Sequence, residues 1–352
     1  MNAIGASNPE YVNARVRARR AALFDEEDYR KLVRMGPSGI ARFMEENEYE
    51  AEINALGARH GGVDLIEYAL HANMAKHFHD LLDWSEGRLH ELIARYLRKY
   101  DAWNLKTVIR GVYTDTPYAE LEPDLVLAGE LEAPLLETMA GADTVRDAIE
   151  LLAGTQYYEP LVEAYGDFED EEVLVPIENA IDHEFWDHLL DDVGPELPTE
   201  GPMAMYVEFL QAEIDFLNIR NALRLAYSGA DIDPGAYHIE GGRLFDRAEL
   251  TRLVTTPDEL VLAVRESTYG DELGDALDEL ADAESLIQFE RALEGVLLAY
   301  TGRLSNVFPV SITSILAYVL AKEREVDNIR AIARGKEAGL STEEIERELV
   351  IT

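Results

Sequence analysis

Two stretches of this sequence gather side chains of the kind that carry chemistry. In "IDHEFWDH", the imidazoles of His183 and His188 stand among the carboxyl groups of Asp182, Glu184 and Asp187. Imidazole and carboxylate together are the ligand set of hydrolytic metal sites, so a helical metal-dependent enzyme using His183 and His188 is one reading. In "KYDAWNLKTVIRG", Asp101, Asn104, Lys106 and Arg110 place an acid, an amide and two bases in one short segment. Such a set can form a polar site, or it can pair with a neighbouring element and hold its register.

The elements that must position these groups decide between the readings. Helical neighbours lie three or four residues apart. His183 and His188, five apart, are therefore offset on a helix, and His77 and His79, two apart, make a poor chelate. In a chain with 70 acids, two nearby carboxylates carry almost no specificity. No G-x-x-x-x-G-K-[ST], G-x-S-x-G or H-E-x-x-H occurs, and "RGKEAG" lacks the architecture of a phosphate loop. Surface or capping roles suit the histidines better. No catalytic, cofactor-binding or metal-ligating residue is expected.

The second stretch recurs. Its pattern, acid-x-x-Asn-x-base-x-x-x-Arg, returns as Asp215, Asn218, Arg220, Arg224 and as Glu325, Asn328, Arg330, Arg334. A looser copy is Glu10, Asn13, Arg15, Arg19. The asparagines are separated by 91, 114 and 110 residues. A second landmark, a tyrosine followed four residues later by an aliphatic, appears as Tyr49/Ile53, Tyr157/Leu161 and Tyr269/Leu273. Fixed-period self-similarity marks repeated supersecondary units. Three similar helical units follow, each of about 110 residues, with a last copy of the long helix closing the set.

On a helical wheel the pattern has an apolar stripe between an acidic and a basic edge. The acid cannot reach its own bases. The expectation is that Asp101, Asn104, Arg110, Asp215, Asn218, Arg224, Glu325, Asn328 and Arg334 pair between units, with at least one acid bonded to an arginine outside its own helix. A solvated charge pattern is the alternative.

Helical periodicity dominates the rest. Three long runs stand out: "SEGRLHELIARYLRKYDAWNLKTVIRGVY", "PMAMYVEFLQAEIDFLNIRNALRLAYSG" and "SITSILAYVLAKEREVDNIRAIARGKEAG". Thr256-Pro257-Asp258-Glu259 and Ser341-Thr342-Glu343-Glu344 read as capping boxes. "EEVLVPI" is the nearest approach to a strand. The fold class is all-α.

Composition narrows the partners. The net charge is −39, so neither free nucleic acid nor anionic lipid is an expected partner. Only six of the 31 bases are lysine. Acidic excess with little lysine reads as adaptation to concentrated salt, where at 1 M the screening length falls to about 3 Å. There is no cysteine. No apolar run approaches the roughly 18 residues of a membrane helix, and the opening "MNAIGASNPEYV" carries no expected secretion signal.

Four segments carry a family resemblance. "LLDWSEGRLHELIARYLRKYDAWNLKTVIRG", "VRDAIELLAGTQYYEPL", the opening "YVNARVRARRAALFDEEDYRKLV" and, most specifically, "LAYVLAKEREVDNIRAIARGKEAGLSTEEIERELV" resemble the C subunit of the A-type (V/A-type) ATP synthases, a relative of the d subunit of V-ATPases. The chain departs from that pattern in its surface acidity and scarce lysine. The resemblance implies three similar helical domains in a pseudo-threefold funnel, expected at 1–95 with 310–352, 96–200 and 201–309. It implies a non-catalytic central-stalk component of a proton-driven synthase, coupling the membrane rotor ring to the central stalk for ATP synthesis. The protein would be peripheral, on the cytoplasmic side of the cell membrane, without cofactor, and partnered by ring and stalk subunits. "YTGRLSNVFPVSI" and "GTQYYEPL" are the candidate contact segments. A generic helical-repeat adaptor is the remaining alternative.

Overall fold

In a computed structural model of the chain, the structure describes residues 7–171, 173–191, 193, 197–228, 233–280 and 283–351. These residues form α-helices joined by turns and two short 3₁₀ segments, with no strand among the described residues. Two of the three long patterns are single helices, Gly201–Ser228 and Ile312–Glu337. The third is cut into Gly87–Leu97 and Lys99–Tyr113. At the join, Arg98 keeps helical dihedrals but its N–H bonds the Arg95 carbonyl, a tightened turn that lets the apolar stripe continue across the break. "EEVLVPI" runs into the helix Val175–Asp191, whose proline near the start fits a first turn that needs no N–H from it.

Helix starts follow local chemistry. Asp25 forms a reciprocal capping box with Asp28 ahead of Glu26–Leu32. Ser341 and Glu344 form the one expected from sequence, with each side chain accepting the other's backbone N–H. The Thr256 box does not form. Its hydroxyl donates back to the Leu253 carbonyl, and Pro257 alone sets the helix start.

The described chain divides into two compact units. Residues 1–189 with 321–346 make the first, and 190–320 with 347–352 make the second. In the first, Tyr49, Ile40, Met44, Leu32, Phe78 and Tyr96 are fully buried, and Phe24 meets Phe43 edge-on at 5.3 Å. In the second, Phe216, Ile219 and Leu223 of the long helix pack on Leu250, Leu260, Leu273 and Phe289. Tyr269 sits at its centre, edge-on to Phe216 at 4.7 Å and to Tyr300 at 5.3 Å. Burying this apolar area is the main stabilising term, at about 25 cal/mol per Å². The landmark pairs Tyr49/Ile53, Tyr157/Leu161 and Tyr269/Leu273 are all buried.

Candidate functional site

The repeated pattern builds three buried clasps. In each, the acid and the asparagine lie inside the protein: Asp101, Asn104, Asp215, Asn218, Glu325 and Asn328 are all buried. A buried polar side chain must find partners, and here the partners are backbone groups together with tyrosine hydroxyls and, for Glu325, a lysine ammonium.

In the Asp215 clasp, the asparagine amide works like one residue of a β-ladder. Asn218 donates to the Ile239 carbonyl at 2.9 Å and accepts the Ile239 N–H at 2.9 Å. Four and five residues on, the N–H groups of Arg243 and Leu244 donate to the Asp215 carboxylate, at 2.7 and 3.0 Å. The Tyr269 hydroxyl donates to its other oxygen at 3.0 Å. The Asp101 clasp repeats this geometry. Asn104 exchanges both bonds with Val126, at 2.8 and 2.9 Å. Asp101 accepts the N–H groups of Glu130 and Leu131, both at 2.9 Å. Tyr157 occupies the landmark position, but its hydroxyl has no hydrogen-bond partner among the described residues.

The Glu325 clasp spans a much longer stretch of sequence. Its carboxylate accepts the Phe24 N–H at 2.6 Å and the Tyr49 hydroxyl at 2.6 Å. Phe24 precedes Tyr49 by 25 residues, as Leu244 precedes Tyr269. Lys322, fully buried, completes the group. Its ammonium donates to Glu325 at 2.6 Å and to the Tyr49 hydroxyl at 2.9 Å, and lies 4.3 Å from the Tyr49 ring centroid. Burial pulls the Lys322 pKa down, against the opposing pull of Glu325.

The acids thus take backbone amides, hydroxyls and, at Glu325, the Lys322 ammonium of the same helix, where the sequence expects arginine side chains. The reason is position. Asp101 and Asp215 face the loop that follows their own helix and Glu325 faces the backbone at Phe24, 301 residues earlier, while the bases face the helix that closes the repeat. Lys106 and Arg110 pair with Asp182 and Glu178, each at 2.5 Å. Arg224 grips Glu290 through two bonds of 2.5 Å. Arg330 and Arg334 share Glu67, with Arg330 at 3.1 Å, and Arg330 also binds Asp124. Burial raises the Glu67 carboxyl, but the Arg334 and Arg330 guanidiniums outweigh it and leave the group below its usual range. In the looser N-terminal copy, Glu10 is exposed and Asn13 bonds the Pro9 carbonyl of its own helix.

The closing-helix acids went unseen in the sequence, although a signal exists. Glu178 follows Tyr157 by 21 residues and Glu290 follows Tyr269 by the same 21, while Glu67 follows Tyr49 by 18. Lys322 carried no repeat signal, because Arg98 and Ala212 stand at its place in the other copies.

A family model described as the ATP synthase (C/AC39) subunit matches residues 12–348. The chain belongs to the ATP synthase (C/AC39) subunit family. It is 60% identical over 352 residues to the A-type ATP synthase C subunit of Halorubrum lacusprofundi, covering 100% of both chains. It is 59% identical to that of Haloferax volcanii, again over 100% of each. With the same protein of Methanococcoides burtonii it shares 36%, over 98% of this chain and 95% of the relative. As an ATP synthase (C/AC39) subunit, it has other subunits of the complex as partners. The acidic composition accords with relatives from halophilic archaea.

Among the described residues, no helix of this ATP synthase (C/AC39) subunit is long and apolar enough to cross a membrane. Nor do three His, Asp or Glu side chains gather to hold a metal ion. His183 and His188 lie on the helix Val175–Asp191, where His188 pairs with Glu184 at 2.9 Å. Of the candidate contact segments, "GTQYYEPL" buries Tyr157 and Leu161 in the core. In "YTGRLSNVFPVSI", Val307 is 57% exposed and Val310 41%, at the turn before Ile312–Glu337.

Proposed function

We propose that this chain is the non-catalytic rotor-coupling subunit of a proton-driven A-type ATP synthase, held peripherally on the cytoplasmic side of the membrane. It passes torque between the membrane rotor ring and the central stalk, for ATP synthesis. The observation that carries this reading is the family match over nearly the whole chain, in one unbroken order. The clasps suit the task. A torque-bearing body must not yield at its loops, and each clasp bonds a loop to a buried group on a long helix, inside interiors that resist compression. The repeat units are proposed at 1–95 with 310–352, 96–200 and 201–309, each with one clasp. The apolar turn around Val307 and Val310 is the proposed contact with a neighbouring subunit, since exposed apolar groups are what an interface buries.

The test is co-purification in molar salt. A tagged chain is expected to bring down both ring and stalk subunits, and the purified chain alone is expected not to hydrolyse ATP. Recovery without the ring subunit, or ATP turnover by the chain alone, would overturn the reading.

A further inference from the structure

The helix Pro9–Arg20 runs against the charge of the molecule. It carries Arg15, Arg17, Arg19 and Arg20 against a single acid, Glu10, in a chain where acids outnumber bases 70 to 31. Its apolar residues Val12 and Val16 are buried, so its inner face is already used. Arg15, Arg17 and Arg20 are exposed.

Arg15 is held in a built stack. Its guanidinium carbon lies 4.7 Å from the Tyr11 ring centroid and 4.8 Å from that of Trp84. Arg19 lies 5.3 Å from the Trp84 ring and is anchored by Asp80 at 2.5 Å. Stacking on rings uses the π surface of a guanidinium and leaves its in-plane N–H fork available for a carboxylate. Among the described residues, neither Arg15 nor Arg20 forms an ion pair, although carboxylates are abundant.

We propose that the Arg15 stack docks an acidic protein segment of a neighbouring subunit, one of whose carboxylates meets the Arg15 guanidinium; the identity of that partner rests on the synthase-subunit reading above. The chemistry selects a protein over a lipid surface. At 1 M salt the screening length is about 3 Å, so a charged plane exerts little pull, whereas direct guanidinium–carboxylate contacts survive. Beyond Tyr11, the exposed apolar residues of the helix are Ala14 and Ala18, which insert nothing into a bilayer. A flat anionic surface would also meet Glu10 and Asp80, while a narrow segment can avoid them.

The test places a photo-activatable residue at Ala14 or Ala18 in the full chain, irradiates living cells and maps the cross-linked peptide. The expected product is an Asp/Glu-rich segment of another synthase subunit. R15A is expected to cut its yield roughly tenfold, the loss of one strong charge-assisted contact. R34A/R59A, which removes exposed arginines elsewhere, is expected to leave the yield unchanged. Labelling of lipid, labelling of a segment without carboxylates, no labelling, or a yield unaffected by R15A overturns the proposal. Labelling is read without purifying the complex. A chain that labels an acidic segment yet fails to co-purify with ring and stalk therefore refutes the coupling role and leaves the docking face standing.

Discussion

The two aspartate clasps and the glutamate clasp perform one task with different side-chain lengths. At Asp101 and Asp215 the short side chain draws the loop against the helix, and only glycine fits beside it. A Cβ on Gly129 would lie 2.1 Å from the Asp101 carboxylate, and one on Gly242 would lie 2.5 Å from that of Asp215. These glycines stand two residues before Leu131 and Leu244, whose amides are clasped. In the third clasp the residue two before Phe24 is Ala22. Glutamate is one methylene longer and can reach its backbone amide across a wider gap, and alanine stands at the corresponding loop position. Acid length and loop glycine are thus one choice, written at two places roughly 28 residues apart in the aspartate copies. The glutamate clasp differs in a second way: of the three, it is the one that encloses a buried lysine, Lys322.

That cation sets the largest effect. Glu325→Ala would strand the Lys322 ammonium in the core, and removing one member of a buried pair costs about 3–5 kcal/mol. Asp215→Ala strands only neutral backbone amides and a hydroxyl, for about 1–3 kcal/mol. Denaturant unfolding in molar salt should rank the two in that order, with K322M/E325Q much closer to wild type than E325A. A milder loss for Glu325→Ala than for Asp215→Ala would show that the ion pair does not set this clasp apart.

The glycine correspondence gives the next effect. Gly242→Ala and Gly129→Ala should each cost about 1–3 kcal/mol, because the loop must back away from its carboxylate. Ala22→Gly, in the longer clasp, should stay within about 1 kcal/mol. The same unfolding experiment checks this. Equal costs at all three positions would separate acid length from the glycine requirement.

Much of this was legible in the sequence. The asparagine period, the landmark tyrosines and the apolar stripes pointed to repeated helical units; Asn104 and Asn218 make the same paired bonds to backbone, and Tyr49, Tyr157 and Tyr269 are all buried. The partners of the acids were not legible, because the wheel places Asp101 on an edge without saying that a loop some 29 residues later folds onto that edge. Backbone N–H groups have no sequence signature; every residue but proline offers one. Gly129 and Gly242 could have hinted at a close approach, yet glycine occurs 24 times in the chain and single ones carry little information.

A pH difference sharpens the comparison. Burial pushes the Asp101 carboxyl up to about 6, against the two backbone amides that favour its charged form. Asp215 is raised for the same reason. An unfolded aspartate titrates at about 3.9, so between these values the folded protein binds more protons. The stabilisation linked to Asp101 is therefore full below about pH 4 and lost as the pH rises through about 6. Melting at constant molar salt should show wild type gaining on Asp101→Asn when the buffer is taken from about pH 7 to about pH 4.5. A constant difference between the two proteins would mean that Asp101 titrates normally.

The smallest effect separates the two aspartate clasps from each other. The Tyr269 hydroxyl donates to Asp215 at 3.0 Å, whereas the Tyr157 hydroxyl is buried with no hydrogen-bond partner among the described residues. Both rings fill core positions of the same kind, so Tyr→Phe removes only the hydroxyl. At Tyr269 the change deletes a hydrogen bond to a buried carboxylate and should cost about 1–2 kcal/mol. At Tyr157 it deletes an unsatisfied polar group and should be neutral or stabilising by up to about 1 kcal/mol. If Tyr157→Phe costs as much as Tyr269→Phe, the Tyr157 hydroxyl is bonded in solution and the two aspartate clasps are chemically alike. If the costs differ as stated, the repeats have kept the carboxylate–amide bonds in common and let the tyrosine contact lapse in one of them.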